Sequence, residues 1–224
     1  MTRITLSLAV VFLLTGCAAS DMAENAVITP KTITVAQMAT DGPHFYWYTF
    51  RPNLPIKLSE RVFTPNQGQY QANYRWRSGQ LFELYQQGQQ HIDGSLVSFQ
   101  LQLRFDSHGL AVFQRYQQGK NIIPLTNAKI DKLRQQAKVL AATVEQLSDH
   151  QQTWVQGHWQ QQQFIPCQQQ QPVEVIAQST ADKLSGQGYM AVSGKLQQQQ
   201  LVVDDVLLQR QQQQCLVAPN LLKD

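Results

Sequence analysis

Long hydrophobic runs are scarce in this 224-residue chain. One runs over residues 4–14, and no stretch of 18 apolar residues occurs. Eleven residues rise only about 16 Å as a helix, against a hydrocarbon core of roughly 30 Å, so that run is too short to span a bilayer. Charge is scarce too: 15% of residues are charged and the formal net charge is +3. No basic stripe stands out, so the sequence gives no electrostatic argument for nucleic acid. Of the three cysteines, none forms a CxxC pair and none clusters with histidine at ligand spacing, which argues against redox catalysis and structural zinc. The histidines are His44, His91, His108, His150 and His158. None makes HExxH or has a second His four residues on, and GxSxG, P-loop and dinucleotide fingerprints are missing. Asp204 and Asp205 are adjacent, so in a strand they point to opposite faces and cannot pair as catalytic carboxylates. No catalytic residue, cofactor or metal is assigned, and a non-enzymatic protein is expected.

Apolar residues make up 42% of the chain, enough for a packed core and unlike a disordered composition. The excess is glutamine, 39 of 224 residues, which solvates a surface without setting up a field.

Residues 1–16 read as a signal peptide: a positive charge at Arg3, the short apolar run, then Leu14-Thr15-Gly16-Cys17. That tetrapeptide resembles a bacterial lipobox, which implies diacylglyceryl transfer to Cys17, cleavage before it, and a mature terminus carrying acyl chains such as palmitate. Two chains already anchor stably, at about 0.8 kcal/mol per buried methylene. The next residue is Ala18 rather than Asp, which by family analogy favours an outer-membrane, periplasm-facing location. Residues 17–42 are small, polar and interrupted by Pro30, and read as a lipidated tether with one short strand at 32–35. In that oxidising compartment the remaining pair, Cys167 and Cys215, is expected to form a disulfide. A loop of 48 residues would give roughly 4 kcal/mol in the chain-entropy model.

Residues 43–150 read as an antiparallel β-meander of about five strands followed by one long helix. Phe99, Leu101, Leu103 and Phe105 alternate with Gln100, Gln102 and Arg104, and Tyr70, Ala72, Tyr74 and Trp76 alternate with polar residues likewise. Turn glycines lie in RSGQ, DSHG and QQGK. From Thr126, a plausible N-cap, Ile130, Leu133, Ala137, Leu140, Ala141, Val144 and Leu147 share one helical face. Residues 151–224 hold five short β-type segments, 153–159, 164–167, 173–177, 189–196 and 201–209, with a short helix after the third, starting near Ser179. Three strands, a helix and a two-strand hairpin is the order of an OB-like β-barrel. The fold class is therefore α+β, mainly β. Glutamine quartets at 160–163, 168–171, 197–200 and 211–214 fall at the expected loops, although Gln does not favour the positive φ of tight turns.

Tyr46-Trp47-Tyr48-Thr49, Tyr74-Arg75-Trp76, Gly157-His158-Trp159 with Phe164 and Cys167, and Cys215 with Pro219-Asn220-Leu221 resemble the YjaH-like lipoproteins of gamma-proteobacteria, a family of unknown function. The resemblance implies an envelope lipoprotein with a paired cysteine and brings no catalytic residues. Tyr46, Trp47, Tyr48, Trp76 and Trp159 are candidates for stacking on a sugar ring, although alternate residues of the 46–48 strand must face opposite ways and at least one set is core. The expected function is a lipid-anchored envelope module binding a periplasmic protein or glycan. A carrier or chaperone sheltering an acyl chain is the first alternative, and an envelope hydrolase the second.

Overall fold

A computed structural model describes residues 29–65, 68–149, 153–169, 171–177 and 184–222. Cys17, with the expected signal peptide, the start of the expected tether and the start of the short helix expected near Ser179, lies outside them. The described chain is mainly β with one helix: an eight-stranded antiparallel sheet and a curled five-stranded sheet.

The large sheet contains β1 (Lys31–Ala39), β2 (Gly42–Arg51), β3 (Leu54–Phe63), β4 (Gln69–Arg77), β5 (Gln80–Ile92), β6 (Ser95–Phe105), β7 (Ala111–Gln118) and β8 (Asn121–Ile122), each bonded to its neighbours in chain order. Two differences from the sequence reading matter. β1 contains the short strand expected at 32–35 but extends it into residues read as tether: it pairs with β2 along its whole length and buries Val35 and Ala36. Its apolar residues Ile33, Val35, Ala36, Met38 and Ala39 do not keep a strict alternation, so the sequence signal is weak. β3 had no apolar alternation to betray it, because Lys57, Ser59, Glu60 and Arg61 interrupt the pattern; Ser59 and Glu60 are nonetheless buried, through hydrogen bonds.

The hairpin turns follow from local chemistry. Ser78-Gly79 and Asp93-Gly94 both have positive φ at the two turn positions, the requirement of a type I′ connection whose twist suits the strands. At the β6–β7 corner, Asp106 Oδ1 accepts from the backbone N–H groups of His108 and Leu110, each at 2.9 Å.

Helix α1 (Asn127–Asp149) lies on one face of this sheet. Thr126 Oγ1 caps it by accepting from Lys129 N at 3.3 Å. Ile130, Leu133, Ala137, Ala141 and Val144 are buried there against Tyr46, Tyr48, Leu58, Tyr74, Leu84 and Leu103.

The second sheet has the order β10 (Gln163–Pro166), β9 (Trp154–Gln160), β12 (Gly188–Gln197), β13 (Gln200–Arg210), β11 (Glu174–Ala177). All pairs are antiparallel except β11 with β13. A single bridge from Phe164 to Val173 links its two ends and curls the sheet around Val155, Phe164, Met190, Val192 and Leu201. The face of the large sheet away from α1 meets this unit through Phe45 and Phe63, packed with Trp154, Tyr189 and Leu208.

Residues 211–222 then run as a strap from the curled sheet onto that same face. Gln156, buried on β9, holds the start of the strap from both sides: its Nε2 donates to Leu216 O at 2.8 Å and its Oε1 accepts from Leu216 N at 2.6 Å. Asn73 holds the end, donating from Nδ2 to Pro219 O at 2.9 Å and accepting Leu221 N at 2.6 Å. Arg75 donates to Leu222 O at 2.7 Å. The Cys167–Cys215 disulfide clasps the strap to the end of β10. Among the described residues no helix is long and apolar enough to cross a membrane.

Candidate functional site

The sheet face under α1 is not filled along its whole length. Between the helix and β2–β5 lies a cavity of about 570 Å³. A second of about 250 Å³ adjoins it toward β6 and β7 and shares Tyr70, Gln86, Leu133 and Gln136 with the first. The walls are the rings of Tyr46, Tyr70 and Tyr74 with Leu84, Leu133, Val139 and Leu140, and the rim on the helix is Lys132, Gln135, Gln136 and Thr143.

The floor is polar and comes from period-two side chains of adjacent strands. His44 on β2 stands opposite Val62 of β3, two residue pairs along from Tyr46 and Glu60, so the His44 and Glu60 side chains share the α1 face. His44 Nδ1 lies 2.9 Å from Glu60 Oε1, and His44 Nε2 lies 2.8 Å from Asp41 Oδ1. Carboxylates only accept, so both ring nitrogens carry protons and His44 is an imidazolium between two anions. Burial alone would lower its pKa; the hydrogen bonds and charges of Glu60 and Asp41 outweigh that and raise it above the ordinary value. Glu60 Oε2 accepts from Tyr74 Oη at 3.3 Å, and Gln86 Nε2 donates to the same hydroxyl at 3.0 Å. Gln37 Nε2 donates to Tyr46 Oη at 3.0 Å. Burial, reinforced by the charge of Glu60, pushes the Tyr46, Tyr70 and Tyr74 phenols far above their usual range. These hydroxyls therefore stay protonated at any physiological pH and act as hydrogen-bonding groups, not as bases.

This arrangement suits binding better than proton transfer. With both nitrogens engaged, His44 has no lone pair to offer a ligand. Among the described residues no serine or cysteine lines the cavity, and the lining hydroxyl of Thr143 donates back to Val139 O at 3.0 Å. An apolar wall over a hydrogen-bonding floor fits an amphipathic molecule.

The five aromatic residues singled out from the sequence do not meet on one surface. Tyr46, Tyr48 and Trp76 are buried in the α1-side core, and of these Tyr46 lines the cavity. The Tyr48 phenol is pushed up to about 12 by burial and by the nearby Glu145 charge. Trp47 points the opposite way and packs edge-on to Trp154, with ring centroids 5.9 Å apart. Trp159 packs on Phe164 against the curled sheet's interior. The groups that sequence reasoning missed are Glu60, Asp41 and Gln37. For Glu60 the signal is a charged residue set beside apolar ones, meaningful only once β3 is recognised; Gln37 on β1 and Asp41 in the β1–β2 turn carry no such signal.

Cys167 and Cys215 are joined. Their sequence spacing predicted no cluster with histidine, yet pairing of β9 with β10 brings His158 alongside them, its Nδ1 4.0 Å from Cys215 Sγ. No curated protein and no solved structure matches this chain. A family model described as a protein of unknown function, DUF1481, matches residues 34–220, and the chain belongs to that family.

Proposed function

We propose that this protein is a lipid-anchored binding protein of the bacterial envelope, tethered through Cys17 to the outer membrane and facing the periplasm, that holds an amphipathic, acyl-bearing ligand in the groove between α1 and the large sheet. It is a lipoprotein of the YjaH-like kind. The observation that carries the ligand reading is the 570 Å³ cavity, which falls within the size range of small-molecule sites and has apolar walls closing on a polar floor. Tyr46, Tyr74 and the His44–Glu60 pair would meet the head of the ligand, and Leu84, Leu133 and Leu140 its chain. Such a protein works as a carrier or as a sensor of its ligand, without chemistry.

The curled sheet supports a second, interaction role. Its strand order, with β11 parallel to β13, supports an OB-like reading of this unit. OB barrels often bind oligosaccharides, a warrant from fold analogy alone.

The test of the groove is binding of a fluorescent fatty acid, cis-parinaric acid, to the purified protein. Saturable one-to-one binding is expected. Gln136 is exposed and lines both cavities, so Gln136→Trp closes the mouth without touching the core. It should weaken binding about tenfold or more, or about 1.4 kcal/mol. No binding by the wild type, or equal binding by the variant, would reject the groove. The anchor is tested separately: Cys17→Ala should accumulate as an unprocessed, unlipidated precursor, and normal maturation of that variant would refute lipidation.

A further inference from the structure

The clasp that closes the strap has a third member. His158 on β9 faces Cys167 and Cys215, and one ligand atom from each of the three residues lies within 4.8 Å of the others. The orientation of the imidazole is fixed. His158 Nε2 is 2.8 Å from Gln213 O, and a carbonyl only accepts, so the ring proton sits on Nε2. Nδ1 therefore presents its lone pair toward the sulfurs, 4.0 Å from Cys215 Sγ. Tyr189 packs edge-on against the ring at 5.5 Å between centroids and limits its rotation. A backbone carbonyl on the far nitrogen is the support that metal-bound histidines use. All three side chains are half-buried, so the place is shielded but reachable.

We propose that the disulfide is one of two closures of this clasp, and that in the dithiol form Cys167, Cys215 and His158 bind one Zn²⁺, with water as the fourth ligand. Zinc–sulfur and zinc–nitrogen bonds of about 2.3 and 2.0 Å place tetrahedral ligand atoms roughly 3.4–3.8 Å apart. The His158–Cys215 separation is already close to that, and the two sulfurs need only part from bonding distance. The chemistry balances in two steps. A reduced dithiol exchanges with the Cys167–Cys215 bond and leaves as its own disulfide, while the protein gains two thiols. Binding of Zn²⁺ by two thiolates and the neutral imidazole then releases two protons. Either closure holds residues 211–222 against the curled sheet.

The test uses the full mature chain, reduced anaerobically with dithiothreitol, desalted, and titrated with Co²⁺ and then Zn²⁺. One equivalent of Co²⁺ should give the near-ultraviolet thiolate-to-cobalt charge-transfer band, which Zn²⁺ should abolish. Zn²⁺ should raise the Tm of the reduced protein and leave that of the oxidised protein unchanged. His158→Asn should weaken Zn²⁺ binding at least about tenfold, and the double variant Cys167→Ser with Cys215→Ser should lose the band. Absence of the band and of any Tm rise in reduced wild type overturns the proposal, with no variant needed. Equal affinity in His158→Asn also overturns it, as does equal affinity in the cysteine-free variant, which would mean an adventitious ion only.

Discussion

Asn73 should be worth far more to this fold than a single polar residue in a strand usually is. Its side chain is fully buried between the large sheet and the strap. Nδ2 donates to Ser59 Oγ at 2.7 Å and to Pro219 O at 2.9 Å, and Oδ1 accepts from Leu221 N at 2.6 Å. Asn73→Ala removes all three bonds. At a net contribution of about 1 kcal/mol each, with a stranded amide at Leu221 adding to the cost, the loss should be about 3 kcal/mol. For a chain of this size that lowers Tm by roughly 6–12 °C. Urea unfolding of wild type and variant measures the difference. A chain ending at Ala218 supplies the second side of a double-mutant cycle, because Pro219 and Leu221 are then gone. In that background Asn73→Ala should cost clearly less, the difference being the coupling between Asn73 and the strap. A loss below about 1 kcal/mol in the full chain, or the same loss in both backgrounds, would refute the claim that Asn73 fastens the strap.

Other outcomes follow from particular residues. Gln161 and Gln162, the two turn residues between β9 and β10, both have positive φ, 48° and 66°, which costs an L-residue other than Gly or Asn. Replacing them by Asn-Gly should stabilise the protein by about 1 kcal/mol, and an unchanged urea midpoint would show that these glutamines are not strained. His44 has a folded-state pKa above its ordinary 6.5, so its contribution is complete below that value and is lost as pH rises through the folded value. The stability gap between wild type and His44→Gln, measured from about pH 5 to pH 9, should therefore shrink with rising pH; a gap that widens contradicts the imidazolium between Glu60 and Asp41. At Gly157, an added Cβ would lie 2.3 Å from Ile165 O and 2.7 Å from Phe164 Cζ. Gly157→Ala should force β9 and β10 apart and cost about 1–3 kcal/mol, with partial loss of the Cys167–Cys215 link under mild reductant as a second readout.

How far the fold could be read in advance depended on whether burial left a period in the sequence. The α1 face from Ile130 to Leu147 was legible because seven apolar residues repeat at three and four, and all seven pack on the sheet. β4 and β6 were legible through strict alternation, and the last hairpin through two long apolar runs. All five segments in the final third lie within a residue of their observed strands at both ends. β3 was not legible, since two of its five buried residues, Ser59 and Glu60, are polar and find their partners on other strands and on the strap. The same reason hid most of the groove. A buried Glu60 looks like a surface Glu60 until His44 and Tyr74 are placed beside it. Two of the glutamine quartets resolve into two turn residues flanked by the ends of two strands, and Gln161, Gln162 and Gln198 take the positive φ that Gln ordinarily avoids. Why glutamine stands there has no account in the structure.

The strap also sets a timetable for folding. Asn73 and its partners at Pro219 and Leu221 are separated by 146 and 148 residues along the chain. Contacts at such separation form late and slowly, because a long loop must close before they gain anything. Until the last dozen residues have emerged, the bonds that Asn73, Ser59 and Arg75 make to the strap are missing, and that sheet face stands open. A nascent polypeptide released early would thus present a sticky, half-dressed surface, by which a quality-control protease could tell it from the finished chain.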